Sequence, residues 1–246
     1  MSDRLSPQNL DAAFGHLSGQ ALIEALVVHG PLQGRTALVS SFGAESVVLL
    51  HMVAKANPAI PVLFLDTLVH FPATLAYKAE LVARLGLRDV RDARPDMRYL
   101  ARLDPEGRLH QDDPNMCCHI RKVETLDEAL HPFAAWITGR KRFQNDLRRK
   151  LRTVEPDENG RRIKINPLAD WTVEALESYR LEHDLPAHPL VARNYASIGC
   201  APCTRPVAPG EDPRAGRWAG RGKTECGIHL PLPEGPRPTS EEGCLI

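Results

Sequence analysis

Two cysteine pairs give the first chemical signal: Cys117-Cys118, followed by His119-Ile120-Arg121-Lys122, and Cys200-Ala201-Pro202-Cys203 far downstream. The two-residue gap in the second pair lets both sulfurs face one metal centre. Four thiolates suit either zinc or an iron–sulfur cluster. Adjacent helical residues diverge by about 100°, which is awkward around one tetrahedral ion. A cubane offers each sulfur its own iron corner, so the adjacent pair favours one [4Fe–4S] cluster per chain, with structural zinc as the alternative. The bland reading of Cys117-Cys118 alone is two small buried residues. Cys-Ala-Pro-Cys alone fits a redox pair, but no thioredoxin-type βαβ unit surrounds it. With Asn115 as helix cap, Cys117 and Cys118 fall in the first turn, where unpaired N–H groups lower a thiol pKa. Lys122, four residues after Cys118, then lies on the same face.

A fifth cysteine, Cys226, sits in Gly222-Lys223-Thr224-Glu225-Cys226-Gly227-Ile228-His229. Lys223 or a protonated His229 would stabilise its thiolate, and the flanking glycines loosen the segment, so a nucleophilic thiol on a mobile tail is one reading. An incidental exposed cysteine is the other. Arg214 and Arg217 offer guanidinium forks for phosphate or sulfate. Cys244, in an ending one residue short of a prenylation box, is read as incidental.

A third signal is the turn Ser41-Phe42-Gly43-Ala44-Glu45-Ser46, between an apolar run at 36–40 and a helix at 47–55. Such a turn presents backbone N–H groups and hydroxyls to an anion. It lacks the lysine of a P-loop, and an ordinary strand–helix turn is the competing reading.

These residues need a frame. Helical spacing runs from Ser18 to His29, and a strand is expected at Pro61–Leu65, ending on Asp66-Thr67. A long helix follows at Pro72–Leu85 with Gly86 placed to stop it. Further strands are expected at 89–91 and 134–139, a hairpin at 152–165 around Asp157-Glu158-Asn159-Gly160, and a helix at 172–183. Alternating strands and helices predict a parallel-sheet α/β domain with helices on both faces. Ligands of such sheets sit beyond the carboxyl ends of the strands, where the 40–46 turn, Asp66-Thr67 and Thr138–Gln144 fall. After Cys203 the chain is rich in Pro, Gly and Arg and has no period. The expected division is an α/β domain at 1–203 and a flexible tail at 204–246 carrying Cys226.

The totals narrow the class. In 246 residues, 31 basic side chains balance 31 acidic ones, so no whole-chain field points to nucleic acid or an anionic membrane. No apolar run reaches the length of a membrane span, and no signal-peptide pattern opens the chain. The expected compartment is the cytoplasm, where six cysteines point to metal or redox chemistry rather than staples. Assembly into a homo-oligomer is left open.

Taken together and in order from Ser40 to His229, these motifs resemble the sulfonucleotide reductases, specifically the assimilatory adenylyl-sulfate (APS) reductases. The resemblance also takes in Arg121-Lys122, Thr138-Gly139-Arg140-Lys141-Arg142-Phe143-Gln144 and Asn166-Pro167-Leu168. It implies a domain like that of the adenine-nucleotide α-hydrolases. It implies that Cys117, Cys118, Cys200 and Cys203 hold a [4Fe–4S] cluster, and that Cys226 attacks the sulfur of APS. AMP would leave, and thioredoxin or a similar dithiol protein would release sulfite from the Cys226 thiosulfonate. Lys122, Arg214, Arg217 and His229 would hold the sulfate and phosphate. Ser41, Gly43, Ser46, Asp66, Gly139 and Arg140 would line the nucleotide site. Ala44 stands where related ATP pyrophosphatases are richer in glycine, which lowers ATP cleavage, and tRNA thiolation is lowered by the balanced charge. The two cysteine pairs favour APS over its 3′-phosphorylated form (PAPS). A cluster-retaining PAPS reductase and a non-catalytic nucleotide-binding module with structural zinc are the alternatives.

Overall fold

The computed structural model describes residues 5–230; the reading of Cys244 lies outside them. Six strands form one sheet in the order β3-β2-β1-β4-β6-β5. They are β1 (Thr36–Ser40), β2 (Val62–Leu65), β3 (Val90–Ala93), β4 (Ala135–Ile137), β5 (Val154–Pro156) and β6 (Ile163–Ile165). All neighbours run parallel except β5, which returns antiparallel on β6 as the expected hairpin. The third strand lies slightly later than the 89–91 expected.

Strand alternation divides the core between two faces. Leu38, Phe64 and Ile137 point one way, among residues of α1 (Pro7–Phe14), α2 (Gly19–Ile23), α3 (Ser46–Ala56), α4 (Pro72–Leu85) and α9 (Val173–Glu182); the short helices α5 (Met97–Leu103) and α6 (Leu109–Asp112) follow β3. Ala37, Leu63, Leu65 and Trp136 point the other way, onto Leu126 and Leu130 at the end of α8 (Thr125–Ala129). The α4 helix ends at Leu85 because Gly86 takes a left-handed conformation, φ 64°, which favours glycine. Thr172 caps α9 by accepting from Ala175 N.

Strand order reverses direction between β1 and β4. A crevice therefore opens beyond their carboxyl ends, the place where such sheets bind ligands. Two connections reach it. One is the 41–45 turn, held because Gly43 N donates to Ser46 Oγ at 2.9 Å and Phe42 N to Ser40 Oγ at 3.2 Å. Phe42 pays for its positive φ of 47° by full burial, edge-on to Phe64 at 5.6 Å, a geometry worth about 0.5–1.5 kcal/mol beyond area. The other is a helical run from α7 (Pro114–Cys118) through a π turn (His119–Glu124) into α8.

The segment after Cys203 has no long regular element, yet residues 204–230 are not detached. Trp218 is buried and its backbone N–H donates to Cys203 O at 3.1 Å. Thr204 pairs with Arg217, and Arg205 N donates to Gly216 O. In the structure these residues fold back over the crevice.

Candidate active site

The crevice is a cleft of about 320 Å³, a size suited to a small-molecule ligand. Its floor is the end of β1 and β4, and its walls are the 40–46 turn, the 138–148 segment, the 196–200 approach to the second cysteine pair, and the folded-back 212–229 segment.

Most of the residues expected to touch substrate line it: Ser41, Gly43, Ser46, Lys122, Gly139, Arg140, Arg214, Arg217 and His229. Cys226 lines it too. Asp66 is the exception. Its carboxylate accepts from Arg94 Nε at 2.9 Å and from Leu68 N at 3.1 Å, so it braces the loop after β2 and leaves Thr67 to face the cleft. Arg140 lines the cleft with its guanidinium committed behind it, bonded to Glu155 and reaching Asn166 Oδ1 at 3.4 Å.

The cysteine pairs meet. Cys117, Cys118, Cys200 and Cys203 surround one small cavity beside the cleft, closed by Val69, Pro202 and Trp218, and all four are buried. Cys226 packs at the edge of the same group. Among the described residues, no three His, Cys, Asp or Glu side chains close on a single-ion site. Four thiols with cations next to them are a donor set that fits a thiolate-ligated centre.

The local geometry corrects two expectations about those thiols. Asp113, not Asn115, caps α7: its carboxylate accepts from Asn115 N and Met116 N, with Pro114 at the first helical position. Cys117 and Cys118 therefore lie past the open first turn, and Cys117 N already donates to Asp113 O. Burial, not the helix end, dominates their protonation, pushing Cys117 up to about 11 and Cys118 upward. Cys200 differs. Burial alone would raise it, but Lys122, the Thr67 hydroxyl at 3.3 Å and Arg217 bring it below the usual thiol value.

Lys122 stands between the two cavities and lines both. Burial would strip its proton, yet the sulfurs of Cys200, Cys226 and Cys118 outweigh that and hold its pKa above the ordinary lysine value. Its neighbour Arg121 points elsewhere, donating to Thr67 O at 2.8 Å and to Asp104 at 2.7 Å. That buried pair fastens the first cysteine helix to the loop after β2.

His229 is held toward its neutral form. Burial, reinforced by Arg140, Lys164, Arg148 and Arg214, drives its pKa well below the ordinary imidazole value. Its neutral ring stacks flat on Trp136, 5.5 Å between centroids and 4° between planes. Lys223 is also not aimed at Cys226: its ammonium donates to Asn115 Oδ1 and lies 5.7 Å over Trp218.

Residues 35–206 match the phosphoadenosine phosphosulfate reductase domain. The chain belongs to that family. Over 90% of its length it is 50% identical to the adenosine 5'-phosphosulfate reductase of Chelativorans sp. (strain BNC1), covering 90% of that protein. It is 52% identical to the enzyme of the same name from Mesorhizobium japonicum, with 90% and 86% covered. A relative from Gloeobacter violaceus, 41% identical over 92% of this chain and 95% of its own, is named phosphoadenosine 5'-phosphosulfate reductase. Among solved structures, the family member from Candida auris, a phosphoadenylyl-sulfate reductase in a phosphate complex, superposes with a TM-score of 0.67 at 26% identity, covering 82% of this chain and 98% of that one. The FMN adenylyltransferase of Candida glabrata shares the fold at 15% identity and a TM-score of 0.56, over 82% and 66% of the two chains. The adenine-nucleotide α-hydrolase-like sheet is thus borne out, and this family member is an enzyme.

Among the cleft residues that sequence reasoning missed are Arg148 and Glu225. Arg148 reaches the cleft from a run of surface arginines, and nothing in its spacing distinguishes it. Glu225 was passed over as the neighbour of a cysteine, although a lone carboxylate beside a candidate nucleophile was a signal.

Proposed function

We propose that the enzyme reduces adenosine 5′-phosphosulfate to sulfite and AMP, with Cys226 as the nucleophile. The observation that carries this reading is the placement of Cys226 on the cleft wall together with Lys122, Arg214 and Arg217. It is supported by the names of the two half-identical relatives.

The chemistry follows from charge. Both the sulfate and the phosphate of APS are anionic, so an approaching thiolate is repelled unless cations screen them. Lys122, Arg214 and Arg217 supply that screening. The Ser40–Ser46 turn adds hydroxyl groups to the same cleft, beyond the ends of β1 and β4. The Cys226 thiolate attacks the sulfate sulfur, an S–S bond forms, and the bond from sulfur to the bridging oxygen breaks, with its electron pair leaving on AMP. A dithiol protein such as thioredoxin then attacks Cys226 Sγ. Sulfite departs with the S–S pair, and the second thiol of the partner resolves the mixed disulfide, so the partner is oxidised by two electrons and Cys226 is restored.

Cys117, Cys118, Cys200 and Cys203 would hold a [4Fe–4S] cluster. When bound, it would fix the α7 end and the 200–203 turn to each other and load the vicinity of Lys122 with negative charge. Among the described residues no helix is long and apolar enough to cross a membrane, which fits a cytoplasmic enzyme of sulfate assimilation. The test is incubation of the purified protein with APS in the absence of any thiol, followed by intact mass. A sulfonate adduct that maps to Cys226 and is absent from Cys226→Ser is the expected result; an unmodified chain overturns the reading.

The Gloeobacter relative's name favours one second reading, reduction of the 3′-phosphorylated substrate. Competition between APS and PAPS for adduct formation separates the two. Preferential labelling by PAPS would replace the first reading with the second.

A further inference from the structure

The residue before the proposed nucleophile is received by a built socket. Glu225 accepts from Asn145 Nδ2 at 2.7 Å and from Arg148 Nη2 at 3.0 Å, and lies 3.5 Å from Arg214 Nη2. The Glu225 side chain is only 10% exposed, and those of Arg148 and Arg214 11% and 21%. Arg214 also donates to Thr224 O at 2.9 Å, so the socket grips two consecutive residues. On the other side of Cys226, Gly227 turns with φ 94°, Ile228 packs on the α8 face of the sheet, and His229 stacks on Trp136. The socket in turn is tied to the 40–46 turn. Arg148 also bonds Gln144, and Gln144 Nε2 donates to Glu45 at 3.0 Å within the 40–46 turn.

We propose that Glu225 is a positioning residue: a charged latch that seats the tail in the Asn145–Arg148–Arg214 socket and thereby fixes Cys226 at the cleft. Hydrogen bonds to charged partners in a partly desolvated site are the strong ones, and a tether one residue from a reacting atom controls its position directly. The three glycines with left-handed backbone at 220, 222 and 227 give the segment little stiffness of its own, so docking falls to side-chain contacts.

This deepens the reading of Cys226 as nucleophile, and the test has an arm that does not depend on it. In the full-length, cofactor-loaded protein, Glu225→Gln keeps the shape and loses the charge. Alkylation of Cys226 by iodoacetamide, followed site by site by peptide mass, should rise on the order of tenfold. Removing a carboxylate also favours the neighbouring thiolate, so the rate is taken across pH. A released latch raises the high-pH plateau, whereas a purely electrostatic effect moves only the midpoint. Glu211→Gln, at a half-buried carboxylate of the same segment paired with Arg205, should leave the plateau unchanged, and Asn145→Ala should raise it less than Glu225→Gln. In the second arm, adduct formation from APS should slow on the order of tenfold, with AMP affinity unchanged. An unchanged plateau overturns the latch. So does tighter AMP binding with undiminished adduct formation, which would make Glu225 a stand-in for the substrate's anion. Failure of the wild type to form any adduct would count against the proposed reaction, and the alkylation arm would still decide the latch.

Discussion

The guanidinium of Arg217 lies directly over Gly199, so close that a Cβ on Gly199 would meet Nη2 at 2.2 Å. Its guanidinium carbon also sits 4.4 Å over the Trp218 ring, so a side chain at Gly199 would push this flexible end off its seat. The glycine before Cys200 leaves room for a cation that lines the cleft.

Gly199→Ala should therefore act through Arg217. Single-turnover sulfonate transfer should fall by about a hundredfold, the scale of losing one stabilising donor at a developing charge. Arg217→Ala should fall similarly, and the double variant no further, since both remove one interaction. Additive losses in rapid-quench kinetics would show that Gly199 matters for another reason.

Lys122 lies between the sulfur cavity and the cleft. Lys122→Ala should slow adduct formation on the order of a hundredfold while iron and sulfide content stay at the wild-type level. Loss of the iron together with the rate would make Lys122 part of the cofactor's support instead.

On the proposed reading, the four buried cysteines hold one cluster between them. Serine at position 117, 118, 200 or 203 should each abolish the iron–sulfur absorption band, whereas Cys226→Ser should retain it. Metal analysis giving one zinc and no iron per chain would select the zinc alternative.

His188 sets a pH dependence of stability. Its Nδ1 accepts from Leu190 N at 3.1 Å, leaving Nε2 to donate to Thr74 Oγ1 at 3.0 Å. A proton on Nδ1 would face another N–H, and burial lowers the pKa to about 4. The unfolded chain protonates this residue near its ordinary 6.5, so between those values the unfolded state binds the extra proton. The contribution to stability is full above about pH 6.5 and fades as pH falls toward 4. Melting temperature should drop through that window, and His188→Gln should flatten the drop relative to wild type measured pH by pH.

Much of this was legible from local chemistry. Proline at the start and glycine at the end bounded α4, the Asp-Glu-Asn-Gly turn gave the hairpin, and apolar runs gave the buried strands. The two cysteine pairs could be joined because their chemistry is cooperative even where their sequence positions are remote. What was not legible depends on contacts across the fold. Asp66 had the right place beyond β2, but Arg94 from after β3 claims its carboxylate. His229 looked like a cation until the surrounding arginines and the Trp136 stack made a neutral ring the favoured form. Asp113-Pro114 carried a cap signature that was overlooked in favour of Asn115, and the cost was a wrong expectation for the thiols. Glu225 gains its meaning only once Arg148, 77 positions away, is brought beside it.

The π turn at 119–124 separates two jobs along a single rod. Downstream, Leu126 and Leu130 are seated against the sheet and set the rod's rotation; upstream, Cys117 and Cys118 must face the 200–203 turn. A wide turn holds an extra residue in its coil, so it works as a phase shifter between them. Deleting one residue there would keep the rod and its seat but swing the cysteine pair by about 100°, turning both sulfurs away from their partners without disturbing a single core contact below.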